Sequence, residues 1–213
     1  VTSDISRPCP SGKLLPFVLE ELRAASIPDE NITIVMGLGL HRRMTKAEIS
    51  QAVTSQIASR YRVINHDDSD TIRLGVTTAG TPVEFFRLVV EADIRICLGN
   101  LEFHYFAGYS GGAIALFPGV ASRAGVTANH AMMTSERASA GRIQNNPVRM
   151  DIEEAAAMVG IDFILNVMVD ANHQVVAAVA GEVIAAHRAG CEMVANRGMV
   201  QIPRQAEIVI ASA

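Results

Sequence analysis

The sequence predicts an α/β domain built on a mainly parallel sheet with helices on both faces. Three observations carry that class. Short β-branched runs alternate with segments whose apolar residues recur at helical spacing. Glycine-rich polar stretches follow several of the apolar runs, and open sheets of this kind gather ligands outside the carboxyl ends of their strands. The 213 residues, 49% apolar and 19% charged, allow one sizeable core and exclude wholesale disorder.

The elements follow in order. "PFVLEELRAASI" (16–27) predicts a helix with Pro16 in its first turn, and "NITIVMG" (31–37) a buried strand ending in glycine. "MTKAEISQAVTSQIASRY" (44–61) opens on a capping box, Thr45 with Glu48, and predicts one helix. Strands are expected in 62–67 and 71–78, a helix in "PVEFFRLVVEA" (82–92) and a strand in "DIRICLG" (93–99). Asn146 and Pro147 start a helix that Gly160 stops. "DFILNVMVD" and "QVVAAVAGE" form a hairpin, and "EVIAAHRAGCEMVANRG" (182–198) a helix ended by Gly198. The closing "AEIVIASA" (206–213) predicts a buried strand. With the polar motif opening at Asp4, it makes the chain read as a piece of a longer protein.

A net charge of −4 without a basic stripe argues against a nucleic-acid partner. No apolar run reaches the roughly 18 residues of a membrane helix, and nothing in the opening residues looks like a signal peptide. Cys9, Cys97 and Cys191 form no CxxC pair, which fits a reduced, cytoplasmic setting.

Three polar clusters are expected in loops at strand ends: "GLGLHRRM", "GNLEFHYFAGYSGG" and "GVTANHAMM". Each contributes one histidine, His41, His104 or His130, a side chain suited to proton exchange near neutral pH and to metal ligation. Their separation matches no compact structural zinc pattern. His66, His173 and His187 are expected to be structural or surface residues. Gly111 and Gly112 let backbone approach a ligand closely, and Ser110 adds a hydroxyl. "GLGLHR" lacks the third glycine of a dinucleotide fingerprint. In "DISRP", Asp4 and Arg7 make either an exposed ion pair or, through the arginine fork, a grip on a ligand carboxylate.

Taken together, "DISRP" (4–8), "GLHRRMTKAEI" (39–49), "GNLEFHYFAGYSGG" (99–112), "FPGVAS" (117–122), "NH" (129–130), "NPVRMDIEEAA" (146–156) and "AGEVIAAHRAGC" (180–191) closely resemble the nickel-pincer lactate racemase family, in family order along nearly the whole chain. The resemblance implies a Rossmann-like three-layer N-terminal domain over 1–213, with a C-terminal domain outside this chain. It implies a nickel pincer nucleotide as cofactor, proteins of cofactor biosynthesis as partners and a small 2-hydroxy acid as substrate. By position, His130 corresponds to the nickel ligand, His41 and His104 to paired proton shuttles, and Arg7 to the group orienting the substrate carboxylate. Asp4, Ser110, Gly111, Gly112 and Ile114 fall at cofactor-binding positions.

The implied chemistry is inversion of a 2-hydroxy acid. Its C2–H is too weakly acidic for direct deprotonation by histidine. Hydride transfer to the cofactor instead gives a planar 2-keto acid, while a histidine takes the hydroxyl proton, help typically worth about 10²–10⁴-fold. One departure stands out. The lysine that ties the cofactor in the family falls ten residues after His104, where this chain has Ile114; its only lysines, Lys13 and Lys46, lie in other motifs. Noncovalent binding is therefore expected of an active protein. Two alternatives are a cofactor-binding module without catalysis and a metal hydrolase using the three histidines.

Overall fold

The computed structural model describes residues 1–200, 204, 207 and 208. The closing strand expected at 206–213 lies, apart from Glu207 and Ile208, outside the described residues. The chain is a mixed α/β fold. Its first part runs β1 (Thr2–Ser3), α1 (Ser11–Ala24), β2 (Thr33–Gly37), α2 (Lys46–Val53), α3 (Ser55–Arg60) and β3 (Arg62–Asn65). An antiparallel ribbon follows, β4 (Thr71–Val76) with β5 (Pro82–Phe86), then the single turn α4 (Arg87–Val90) and β6 (Ile96–Asn100). The small ribbon β7 (Phe103–His104) and β8 (Gly108–Tyr109) precedes α5 (Arg123–Ala131) and α6 (Pro147–Val159). The hairpin β9 (Phe163–Val169) and β10 (Val175–Gly181) leads into α7 (Val183–Gly198).

β1, β2 and β3 form a parallel sheet with β2 central. β6 and β9 pair in parallel, and β10 closes that second sheet antiparallel. The two sheets meet at Val1: its amino group donates to the Ile96 carbonyl (2.7 Å), and Leu98 N–H donates to the Val1 carbonyl (2.9 Å). Alternate strand residues face opposite ways. Ile34, Met36, Leu98 and Val167 pack with Leu14, Leu15 and Leu19 of α1 and with α2 and α3. Val35, Cys97 and Ile164 pack into the second core with Phe85, Phe117, Val148 and Ile152. Helices thus cover the strands from both sides. No helix among the described residues is long and apolar enough to cross a membrane.

Several elements differ from expectation. Residues 82–86 are strand, because Val83 and Phe85 alternate into the core while the backbone pairs with β4; the helix is confined to 87–90. The single helix expected at 44–61 breaks at Thr54, whose φ of +80° ends α2 and whose Oγ1 caps α3 by accepting from Ile57 N–H. The capping box at Thr45 and Glu48 is present. α1 begins five residues before Pro16, which sits exposed inside the helix, while Leu14, Leu15 and Leu19 bury the opposite face. The hairpin, the Asn146 cap, the Gly160 stop and α7 fall where expected, with Gly198 as the last residue of α7.

Candidate functional site

β1 ends at Ser3 and β2 at Gly37, so Asp4 and the turn bearing His41 emerge side by side at the carboxyl ends of neighbouring parallel strands. Asp4 is buried. Its Oδ1 accepts from Ser6 N–H (3.1 Å) and Ser6 Oγ (2.6 Å), and its Oδ2 lies 2.8 Å from His41 Nδ1. A carboxylate in that position holds the proton on Nδ1 and leaves the lone pair on Nε2 of an exposed ring. Asp4 and Arg7 are joined through backbone, the Arg7 N–H meeting the Asp4 carbonyl at 3.4 Å. The Arg7 side chain turns instead to Glu102 (3.7 Å) and to His104 Nε2 (3.4 Å).

His104, the last residue of β7, is buried, and its Nδ1 accepts from Ala107 N–H (3.2 Å). Tyr105 stacks on His104 at 5.1 Å, and Phe106 meets it edge-on at 4.6 Å. The far side of this contact is His130, whose ring lies 5.0 Å from that of Phe106. Burial, then the charges of Arg7, Arg149 and His130, push His104 down to about 4. Burial also lowers His130, opposed by a hydrogen bond to Val126 backbone. Both shifts favour the neutral ring.

The three histidines expected at the site therefore form one linked series, from His41 through the Asp4–Arg7 turn to His104 and through Phe106 to His130. One placement differs from expectation. His130 stands in the last turn of α5, capped by Ser122, and not in a loop. The series lies on an open face, where Tyr105 is 73% exposed. Two grooves, of about 500 and 550 Å³, lie elsewhere, one beside Arg142 and Cys191 and the other beside Leu22 and Ile94. The remaining histidines are structural or peripheral. His66 and His187 are buried and pushed down to about 4 and about 3, chiefly by burial, and His173 occupies the β9–β10 turn.

The glycine-rich loop is filled by the protein itself. A Cβ on Gly111 would stand 2.8 Å from Asn166 Oδ1, and one on Gly112 2.8 Å from the His187 ring. Gly112 N–H already donates to Asn166 Oδ1 (2.7 Å). Ser110 Oγ donates to the Asn100 carbonyl and accepts from Glu102 N–H, both at 2.9 Å. Ile114 packs against the main core. These residues shape the loop around β7 and β8, and the N–H of Gly112 and the hydroxyl of Ser110 are engaged.

Several polar residues around the histidines were not singled out by sequence: Ser6, Glu102, Asn129, Arg149 and Asp151. Arg149 is fully buried, bonded to the Ala107 carbonyl just before β8 and to the Tyr109 carbonyl at its end. Asp151 shares a buried helical stripe with Val148, Ile152 and Ala155. A charged residue interrupting an apolar stripe is the signal that marks such positions.

Comparison with known proteins decides the family. The family described as lactate racemase N-terminal domain matches residues 1–141. The chain belongs to this family. It is 36% identical to the lactate racemase of Thermoanaerobacterium thermosaccharolyticum over its whole length, covering 50% of that protein. It is 33% identical to the lactate racemase of Lactiplantibacillus plantarum over 91% of the chain, covering 47% of that relative. The solved lactate racemase apoprotein from T. thermosaccharolyticum superposes with a TM-score of 0.88 at 35% identity, over 91% of this chain and 48% of that one. This lactate racemase family chain thus spans about half the length of the curated relatives it matches.

Proposed function

We propose that residues 1–213 are the catalytic and cofactor-binding N-terminal domain of a racemase or epimerase of small, lactate-like 2-hydroxy acids. Its two sheets would act as one Rossmann-like, three-layer unit, a reading supported by the Val1 bonds to Ile96 and Leu98. The observation that carries the function is the pairing of Asp4 with His41 and of Arg7 with His104 across one face. The Asp4–His41 and Arg7–His104 pairs are joined through the backbone of the Asp4–Arg7 turn.

His130 would be the one protein ligand of a nickel pincer nucleotide, a group that brings its own donors. The bound nucleotide would supply the hydride acceptor. Ser110, Gly111, Gly112 and Ile114 would shape its site as scaffold, and Asp4 would border it. Without an amine at position 114, binding is noncovalent.

The chain's own residues would do the rest. Arg7 binds the substrate carboxylate and so fixes C2 against the histidines. His41 takes the hydroxyl proton at Nε2, and Asp4 stabilises the imidazolium that forms. His104 serves the other enantiomer. In the free protein Arg7 is the second cause, after burial, holding His104 down to about 4. A substrate carboxylate against Arg7 offsets that charge and raises the proton affinity of His104 as substrate arrives. The C-terminal domain would cover the open face and add substrate contacts.

The test is the optical purity of a single lactate enantiomer incubated with the full-length, nickel-loaded protein. Racemisation that His41→Asn abolishes is the expected result. Ile114 favours a second reading, a module that binds the nucleotide without catalysis; it predicts bound nickel and an enantiomer that stays pure.

A further inference from the structure

A buried series of polar side chains runs from the turn between β4 and β5 to His130. Thr77 Oγ1 donates to Asp151 Oδ1 and accepts from Thr81 N–H (3.1 Å). Asn129 Nδ2 donates to Asp151 Oδ2 (2.7 Å) and to the Val148 carbonyl (3.2 Å). Asn129 Oδ1 then lies 3.2 Å from His130 Nδ1. Thr77, Asn129 and Asp151 are 5%, 0% and 2% exposed.

The chemistry of the partners fixes every direction in this series. A backbone carbonyl only accepts, so the amide nitrogen of Asn129 faces Val148 and its oxygen faces His130. An amide oxygen also only accepts, so His130 Nδ1 donates toward it, and the Val126 carbonyl one helical turn back is a second acceptor for the ring. A neutral imidazole has one N–H, so the lone pair is left on Nε2. Free imidazole side chains prefer the opposite form, with the proton on Nε2. Apolar residues would pack this interior without the cost of burying an amide and a carboxyl group.

We propose that Asn129, clamped by Asp151 and the Val148 carbonyl, locks His130 in its Nδ1-protonated form and so presents the Nε2 lone pair for ligation. Asn129 and Asp151 are positioning residues, and Thr77 fixes Asp151. The purpose of the lock rests on His130 as metal ligand; the lock itself is a property of the protein alone.

Nitrogen NMR of the full-length protein with isotope-labelled histidine, without nickel and at neutral pH, reads the tautomer directly. The His130 signal is assigned as the one lost in His130→Gln. The expected wild-type result is a protonated Nδ1 and an unprotonated Nε2. Asn129→Leu removes the side-chain acceptor, leaving only the Val126 carbonyl to the ring, and is expected to shift the tautomer ratio about fivefold toward protonated Nε2. Asp151→Leu, which frees the amide to turn, shifts it the same way. The wild-type spectrum decides the matter even if a variant does not fold. A protonated Nε2 in the wild type, or an unchanged ratio in folded Asn129→Leu, overturns the proposal. Because no metal is present, a locked tautomer in a protein that binds no nickel would sink the cofactor reading and leave the lock standing.

Discussion

Asp4 Oδ2 lies 2.8 Å from His41 Nδ1, between a buried carboxylate tied down by Ser6 and an exposed ring. The pair joins the ends of two adjacent parallel strands, so backbone pairing sets its geometry before any ligand arrives. Asp4→Asn keeps the shape and removes the charge that stabilises the imidazolium. The expected loss in kcat of the loaded full-length protein is roughly 10²–10⁴-fold, with little change in KM. Steady-state racemisation rates check it, and an unaltered kcat would remove Asp4 from the account.

Arg7→Gln has two separable consequences. KM for the 2-hydroxy acid rises, because the fork that grips the carboxylate is gone. The proton affinity of His104 in the free protein also rises, because the Arg7 charge is the second cause, after burial, of its depression to about 4. Imidazole titration by NMR would show the His104 midpoint moving upward, toward but not reaching the 6.5 of an open histidine.

Stability should fall on the acid side of neutrality. Burial pushes His66 and His104 down to about 4 and His187 to about 3, and lowers His130. As pH drops below 6.5 the unfolded chain takes up protons at these positions, whereas the folded chain stays neutral there until its lower values are reached. Unfolding then binds protons, so stability present above pH 6.5 is lost as pH falls toward 3. Denaturant midpoints from about pH 7 down to about pH 4 test this sign. A flat profile would mean these imidazoles are not buried as described.

Gly112→Ala tests why the loop after His104 is rich in glycine. Gly112 has a φ of +59°, and its Cβ position lies 2.8 Å from the His187 ring. Strain and overlap together should cost about 1–3 kcal/mol. A lowered denaturant midpoint is expected, because the obstruction is the protein itself whatever ligand is present.

Much of this was legible in sequence, for physical reasons that differ by region. The hairpin after Gly160 and the Asn146–Pro147 helix start carry local signals, turn residues and caps, that tertiary packing did not override. "PVEFF" does not. Its apolar residues satisfy either period, and pairing with the preceding β4 across the 77–81 turn makes it strand. The three histidines were visible as residue types in polar clusters. Asp4 and Arg7, the partners of His41 and His104, were visible beside them, whereas the bonds of Asp151 to Asn129 and of Arg149 to the Ala107 carbonyl span sequence separations that only the fold closes. The glycines were read as ligand-facing because freedom of backbone is visible in sequence. What fills the space beside them, Asn166 and His187, is not.

The most direct test of the central claim is the nickel content of the native full-length protein, wild type beside His130→Ala. Stoichiometric nickel is expected in the wild type, released with an organic chromophore on unfolding and lost in the variant. Nickel that stays on the denatured chain, or that His130→Ala retains in full, would contradict it.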